Sequence, residues 1–250
     1  MNLLKTSFFT SISTAIRIIA GFIINKVIAI YIGPAGLALI GQFMNFVSIV
    51  LSFSNGGINS GIVKYVAEYK DDNDKRSMIL SSSVLISLFC SIILSITIII
   101  FSKPMAEYLL RSNDYRNIFT VFGATLVTFS LNSSLLSVLN GYKEIKKFVT
   151  LNILTSLIGL LITSILVVLY RLYGSLLAIV ISQTLMFFVT LIFVVKSDWF
   201  YLHNFVRGID YDSIGKLSKF SIMAIATAVT YPVSQIIVRN YIADHVSLDA

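Results

Sequence analysis

Apolar residues run through this chain in long continuous stretches, at about residues 8–32, 37–63, 78–101, 117–140, 148–170, 174–195 and 216–238. Crossing the hydrocarbon core of a bilayer takes roughly 20 apolar residues as a helix. A lipid-exposed backbone must also satisfy its own hydrogen bonds, which leaves helices or closed barrels. Barrel strands alternate over about ten residues; these runs do not alternate and are twice that long. The pattern therefore predicts an all-α polytopic membrane protein of about seven transmembrane helices. The connections are short, at 33–36, 64–77, 102–116, 141–147 and 171–173, the longest being 196–215. The first stretch contains Arg17 and has no small-residue cleavage site before Gly33, so it reads as a spanning helix and not as a signal peptide.

Polar positions inside the stretches fall at helical spacing. In the second, Gln42, Asn45, Ser48, Ser52, Asn55 and Asn59 recur at steps of three and four, which keeps them on one face. Ser83, Ser87, Ser91 and Ser95 line one side of the third. Thr125, Thr128 and Asn132 mark the fourth, Asn152, Thr155, Gly159 and Thr163 the fifth, and Gln183 the sixth. Such faces turn toward other helices or water, so the pattern describes a bundle with a hydrophilic interior. Two readings of the carboxamide stripe stand side by side: interhelical hydrogen bonding, and a sugar-lined path through Asn45, Asn55 and Asn59, since an amide both donates and accepts. Gly56, Gly57 and Gly61 add a Gly-x-x-x-Gly contact at the cytoplasmic end that predicts close helix packing. Pro232, inside the seventh stretch, removes a helix hydrogen bond and predicts a kink that suits a gate or a static bend.

Composition agrees with the pattern. The chain of 250 residues is 56% hydrophobic and 12% charged, with a mean hydropathy of +0.88; a soluble domain is about 25% charged. The net charge of +7 is a property of loops here and not of a nucleic-acid surface. Lys5, Lys64, Lys70, Lys75, Arg76, Lys143, Lys146, Lys147, Lys196, Arg207, Lys216 and Lys219 fall on one side of the predicted spans. Only Lys103, Arg111, Arg116, Arg171 and Arg239 fall on the other. The positive-inside rule then places the N-terminus in the cytoplasm and the segment 244–250 outside. Cys90, the single cysteine, forms no intrachain disulfide.

Arg17 carries the clearest chemical signal. It sits near the centre of the first span, where a cation costs on the order of 2.5–3.5 kcal/mol on insertion scales. Its helical neighbours Thr10, Ser13, Thr14 and Gly21 are all small or polar. Every Asp and Glu falls in a loop or at a span end, so no carboxylate within the spans neutralises it. An anion-binding role and a structural role, bonded to carbonyls or to an acid elsewhere, both remain open. Lys26 lies nine residues on, about 180° around a regular helix. It snorkels to the surface, or joins Arg17 if the helix bends near Gly21. There is no phosphate-binding glycine loop and no metal spacing, and His203 and His245 sit apart in predicted loops. The pattern predicts a non-enzymatic protein without cofactor or metal.

At an offset of 214, Leu3, Lys5, Ser7, Ile23, Ile28 and Ala29 meet Leu217, Lys219, Ser221, Ile237, Ile242 and Ala243. Many transporters repeat a half-molecule in this way. The echo divides the chain into a six-helix lobe at 1–196, a cytoplasmic linker at 197–215 and, from 216 to 250, the first helix of a second lobe that is otherwise absent. Trp199, Phe200 and Tyr201 of the linker suit an aromatic belt at the membrane surface.

Three strings carry a family resemblance: Gly33-Pro34-Ala35-Gly36-Leu37, Lys64-Tyr65-Val66-Ala67-Glu68-Tyr69 and Leu217-Ser218-Lys219-Phe220. They resemble the O-antigen flippases (Wzx-type translocases) and the related lipid III flippases, the polysaccharide branch of the multidrug/oligosaccharidyl-lipid/polysaccharide exporter superfamily. The resemblance implies two lobes around a V-shaped cavity, alternating access, and a bacterial inner-membrane location. It implies an undecaprenyl-diphosphate-linked oligosaccharide as substrate, for lipopolysaccharide or other surface polysaccharide. It also implies cavity-facing basic residues in the first helix, a placement that Arg17 and Lys26 match. Membrane lipid, a polysaccharide polymerase and a chain-length regulator are the partners it suggests, with no nucleic acid. Two alternatives are a drug or small-cation exporter of the same superfamily, which would favour acids inside the spans, and a membrane polymerase or ligase, which would need a large periplasmic loop.

Overall fold

The computed structural model describes residues 3–208 and 210–245. Its helices are α1 (Leu3–Tyr31), α2 (Gly33–Ser54), α3 (Asn59–Glu68), α4 (Asn73–Ile100), α5 (Ser102–Leu110), α6 (Arg116–Gly141), α7 (Ile145–Val195) and α8 (Tyr211–His245). No strand occurs among the described residues. The five stretches Phe8–Tyr31, Gly33–Ser54, Asn73–Ile100, Asn113–Gly141 and Ile145–Val195 are each long and apolar enough to cross a membrane. The chain is a multi-pass membrane protein.

At 1.5 Å per residue, α7 would extend roughly 77 Å if straight, more than twice a hydrocarbon core. It is not straight. Arg171 adopts φ 51° and ψ −127°, and the chain doubles back there into two arms. The reversal is tight: a Cβ at Gly174 would lie 1.9 Å from the Leu166 carbonyl oxygen. The break falls in the predicted connection at 171–173, and the two arms are the predicted fifth and sixth spans.

The second predicted span is corrected. It is not one helix: α2 stops at Ser54 and α3 starts at Asn59. Gly56 and Gly57 between them have φ of 60° and 66°, left-handed values that glycine adopts without the Cβ penalty. Gly57 therefore sits in the break and makes no helix-to-helix glycine pair with Gly61. Gly61 takes a close contact with α8, where Leu217 and Phe220 approach within 3.1–3.2 Å of its missing Cβ, and Gly56 takes one with α4, where Ile86 lies 2.8 Å from the Cβ position. Two further differences are smaller. The 102–116 connection contains α5, and α8 begins at Tyr211 and runs through Pro232 to His245. His245 is thus the last helical residue and His203 lies in a short 3-10 turn, not in open loops. Residues 246–250, placed outside by the charge rule, lie beyond the described residues.

One end of the bundle, here the basal end, carries the start of α1, the α3–α4 and α6–α7 connections and the start of α8. The far end carries the α1–α2 turn, α5 and the Arg171 reversal. The core divides by depth. Toward the far end, Ile40, Phe43, Val47 and Val50 of α2 pack on Ile118, Phe119, Phe122 and Leu126 of α6. Phe43 meets Phe119 edge-on at 5.5 Å. Toward the basal end a second core joins Ile58, Ile62, Tyr65 and Val66 to Ile79, Leu80, Val138, Phe205 and Leu217. Between them lies a layer of buried small polar side chains: Ser54, Asn55, Ser83, Ser87, Ser91, Ser130 and Ser134.

The basal end is sealed by aromatic and basic side chains. Trp199 stacks on Tyr142 at 3.9 Å, and the Arg76 guanidinium lies 4.9 Å over the same tyrosine. Phe200 packs into the basal core, while Tyr201 is exposed. The predicted aromatic belt is thus corrected: two of its three residues turn inward to cap the bundle. Arg207 pairs with Asp74, and Ser81 donates to the Gly208 carbonyl at 2.9 Å, so the segment before α8 is bound to α4. Asp72 caps α4, accepting the Lys75 backbone N–H at 3.0 Å. That bond, with the Lys75 ammonium, holds its carboxyl below the usual carboxylate range.

Two glycines of α7 give opposite expectations. Gly159 sits in a helical arm with open space at its Cβ position, so Gly159→Ala should gain about 1 kcal/mol of helix propensity. Gly174→Ala places a methyl against a backbone carbonyl and should destabilise the fold. Thermal unfolding in detergent checks both: the midpoint rises for the first variant and falls for the second.

Candidate functional site: a cationic cleft and a helix-break notch

Arg17 faces neither a dry helix contact nor the core. It is exposed and lines a cleft of about 150 Å³ between α1 and the first arm of α7. The other walls are Thr10, Ser13, Thr14, Phe148, Val149 and Asn152. Three of the four small neighbours predicted from helical spacing are therefore present, and Gly21 is not among the lining residues. Side chains on a helix tilt toward its N-terminus, which directs the guanidinium toward the basal end and toward Asn152. Thr14 donates to the Thr10 carbonyl at 3.0 Å, and Asn152 Nδ2 donates to the Phe148 carbonyl at 2.9 Å. These bonds fix both side chains along their own helices and leave Arg17 as the one charged group among the walls of the cleft. Arg17 has no ion-pair partner among the described residues. A guanidinium in such a setting can hold a phosphate oxygen pair in a bidentate fork.

Lys26 is exposed on the same helix. Because α1 runs unbroken from Leu3 to Tyr31, no bend at Gly21 brings Lys26 to the cleft, and it projects from the opposite side.

The carboxamide stripe divides. Asn55 is 2% exposed and accepts a 2.6 Å bond from Ser130, whose hydroxyl also lies 3.0 Å from the Ser54 carbonyl. Asn59 donates to Ser133 at 2.9 Å. Both amides thus bind α6 across the helix break. Ser48 and Ser52 return to the carbonyls of Met44 and Ser48. Asn45 is half-buried on α2. A second polar hollow of about 170 Å³ opens beside the break, lined by Ser52, Asn55, Gly57, Asn59, Ser60 and Ala224. Asn59 Oδ1, buried, has no partner among the described residues. The notch borders α8 and the cationic cleft borders α7, so Arg17 and the two asparagines do not share one hollow. Pro232 is buried within α8 and lines neither.

Sequence reasoning passed over Asn152 as a wall of the cleft, although it heads the polar face of the fifth span. It also passed over Ser130 and Ser133. Their signal is the run Ser130, Ser133, Ser134, Ser137 at helical spacing. Among the described residues no group of His, Cys, Asp or Glu could hold a metal ion.

The profile of the family described as "Polysaccharide biosynthesis protein" matches residues 3–247. The chain belongs to that family. Two curated relatives are each named lipid III flippase, one from Escherichia coli (strain K12) and one from Shigella flexneri; each is 29% identical over 252 residues. The chain is covered completely and spans 60% of the length of each relative. Among solved structures, it superposes on an inward-facing multidrug resistance MATE family transporter of the MOP superfamily with a TM-score of 0.74. Identity there is 13%, covering 92% of this chain and 54% of the other. A MOP superfamily transporter from Pyrococcus furiosus, titled for the reversed polarity of its binding pocket, gives a TM-score of 0.76 at 14% identity. That match covers 96% of this chain and 56% of the other. These likenesses establish the fold as that of the MATE-like exporters.

Replacing Ser130 with Ala leaves the buried Asn55 amide oxygen unpaired, a loss of about 1–3 kcal/mol in a dry site. Ser130→Ala should lower the unfolding midpoint in detergent, whereas Ser48→Ala, whose hydroxyl bonds only its own helix, should not.

Proposed function

We propose that this chain is the substrate-admitting part of a flippase that moves lipid-linked oligosaccharide units across the bacterial inner membrane by alternating access. In this reading residues 1–196 form the first lobe, 197–215 the inter-lobe linker, and α8 opens the second lobe. The basal end, with its excess of Lys and Arg, faces the cytoplasm. The substrate is an undecaprenyl-diphosphate-linked repeat unit of O-antigen or a related surface glycan. Polysaccharide polymerase and chain-length regulator proteins would act on the glycan after it crosses.

The observation that carries the reading is Arg17: a cation at mid-span, exposed in a cleft that it shares with Thr10, Ser13, Thr14 and Asn152, with no carboxylate beside it among the described residues. Two negative phosphates on a lipid head supply the missing charge. The cleft lies in the basal half, where a cytoplasmic substrate enters. The diphosphate contacts Arg17 and the Asn152 amide, and the sugars reach the uncharged hydroxyls and amides of Asn45, Asn55 and Asn59. Lys26, on the opposite side of α1, meets substrate only if the cavity wraps around that helix in the complete protein. Pro232 supplies the point at which α8 bends. The similarity to flippases named for a lipid-linked glycan supports this substrate class. An exporter of cationic drugs is disfavoured, because the span cleft offers a positive charge and no acid.

A hydrogen bond to a charged group is worth about 1.5–3 kcal/mol, so losing the Arg17–phosphate contact should reduce transport by about tenfold to a hundredfold. Arg17→Ala in the full-length protein should fail to restore surface polysaccharide to a flippase-deficient strain, with lipid-linked oligosaccharide accumulating at normal flippase levels. Arg17→Lys should restore it in part. Full complementation by Arg17→Ala would remove the anion-binding assignment.

A further inference from the structure

The seam between α2–α3 and α8 is closed at both ends by chemically different contacts. At the basal end the contact is mainly packing: Leu217 and Phe220 fill the space left by Gly61, with the Lys64 ammonium 5.5 Å over the Phe220 ring and the Lys216 ammonium 5.6 Å over the Tyr69 ring. At the far end it is polar. Arg239 reaches from α8 and its Nη1 donates to the Ala38 carbonyl oxygen at 2.8 Å. The guanidinium rests on Gly41, where a Cβ would lie 2.2 Å from Nη1, 2.9 Å from Cζ and 3.0 Å from Nη2. The absence of a side chain at position 41 is what lets the planar group lie against the α2 backbone.

What lies behind this contact gives it a purpose. Ala38, Gly41, Asn45, Ser48 and Ser52 follow at steps of three and four and share one face of α2. That face leads from the Arg239 seat to the polar notch at the helix break, which Ala224 of α8 borders. Arg239 thus sits at the far end of the face that carries these polar groups.

We propose that Arg239 and Gly41 form a latch that closes the far end of the α2–α8 seam and must release for the polar stripe to open to that side. The inference rests on the transport reading above. The bond joins a cation to a neutral carbonyl and not to a carboxylate. Exchanging it for bonds to water costs far less than separating a buried ion pair would, which suits a contact made and broken in each cycle. The basal seat, closely packed around Gly61, serves as the pivot.

The test uses the full-length protein with Cys90→Ser. In one arm, Gly41→Cys and Arg239→Cys are joined by a short, reducible bis-methanethiosulfonate bridge. Bridging should reduce oligosaccharide flipping in proteoliposomes at least tenfold, and reduction should restore it. Flipping within twofold of the unbridged protein would overturn the latch. In the second arm, Asn45→Cys reports access from the far side through its rate of reaction with a membrane-impermeant maleimide. Adding Arg239→Ala should raise that rate at least threefold, and an unchanged rate would overturn the latch without any transport assay. If the parent protein flips no oligosaccharide while the labelling rate still rises, the substrate reading fails and the latch stands.

Discussion

A backbone group shut away from water must find its partner inside the protein, and the helix break between α2 and α3 is where this constraint is felt most. Ending a helix in a buried part of the bundle frees carbonyl and amide groups that are costly to leave unpaired. Here they are recovered locally. The amides of Gly56 and Gly57 return to the carbonyls of Phe53 and Ser52, and the Ser54 carbonyl is met by the Ser130 hydroxyl. The left-handed conformation at two successive glycines makes those turns possible. The Asn55–Ser130, Asn59–Ser133 and Ser87–Ser134 bonds extend the same solution sideways into α6 and α4. The polar layer between the two apolar cores is thus a consequence of the break, and the notch beside it is space that this layer leaves open.

The same reasoning separates the two polar features of the lobe. The serine–asparagine layer is a closed network whose members mostly satisfy one another, so its first duty is structural. The Arg17 cleft is different in kind. Its threonine and asparagine are bonded to their own helices, and no acid in the described bundle answers its charge. A network of neutral groups tolerates an empty hollow beside it. A mid-membrane cation does not, because the cost of keeping it there is recovered only from water or from an anion. A cleft open toward the basal surface permits both in turn.

Much of this was legible in the residues. The hydrophobic runs gave the order of the long helices, including the reversal near Arg171, because length against bilayer thickness is a hard constraint. Helical spacing placed Thr10, Ser13 and Thr14 around Arg17 without reference to any neighbour. What stayed hidden depended on tertiary partners or on local backbone state. Gly56 and Gly57 looked like a packing motif because a glycine at close approach and a glycine at positive φ are the same letter. The stripe from Gln42 to Asn59 looked like one continuous face because helical spacing presumes an unbroken helix, and the break turns its last two members toward α6. Trp199 and Phe200 looked like interfacial anchors because aromatic residues beside a span suit either membrane surface or core. Only the proximity of Tyr142 and Arg76 decides between them.

Arg239 illustrates the limit most sharply. From sequence it is one of a few cations on the poorer side of the charge bias, indistinguishable from Arg111 or Arg116. Its partner is not another charged residue, whose spacing might be read, but the absence of a side chain at Gly41 some two hundred positions earlier. Contacts between a guanidinium and bare backbone leave no complementary letter in the sequence. They are also the contacts best suited to a moving seam. A carboxylate partner in a poorly hydrated seam would bind Arg239 strongly and leave a costly unpaired charge on separation. A carbonyl partner keeps its own helical hydrogen bond when the guanidinium departs. The far end of the seam can therefore open without stranding a charge, while the close packing at Gly61 keeps α8 in place.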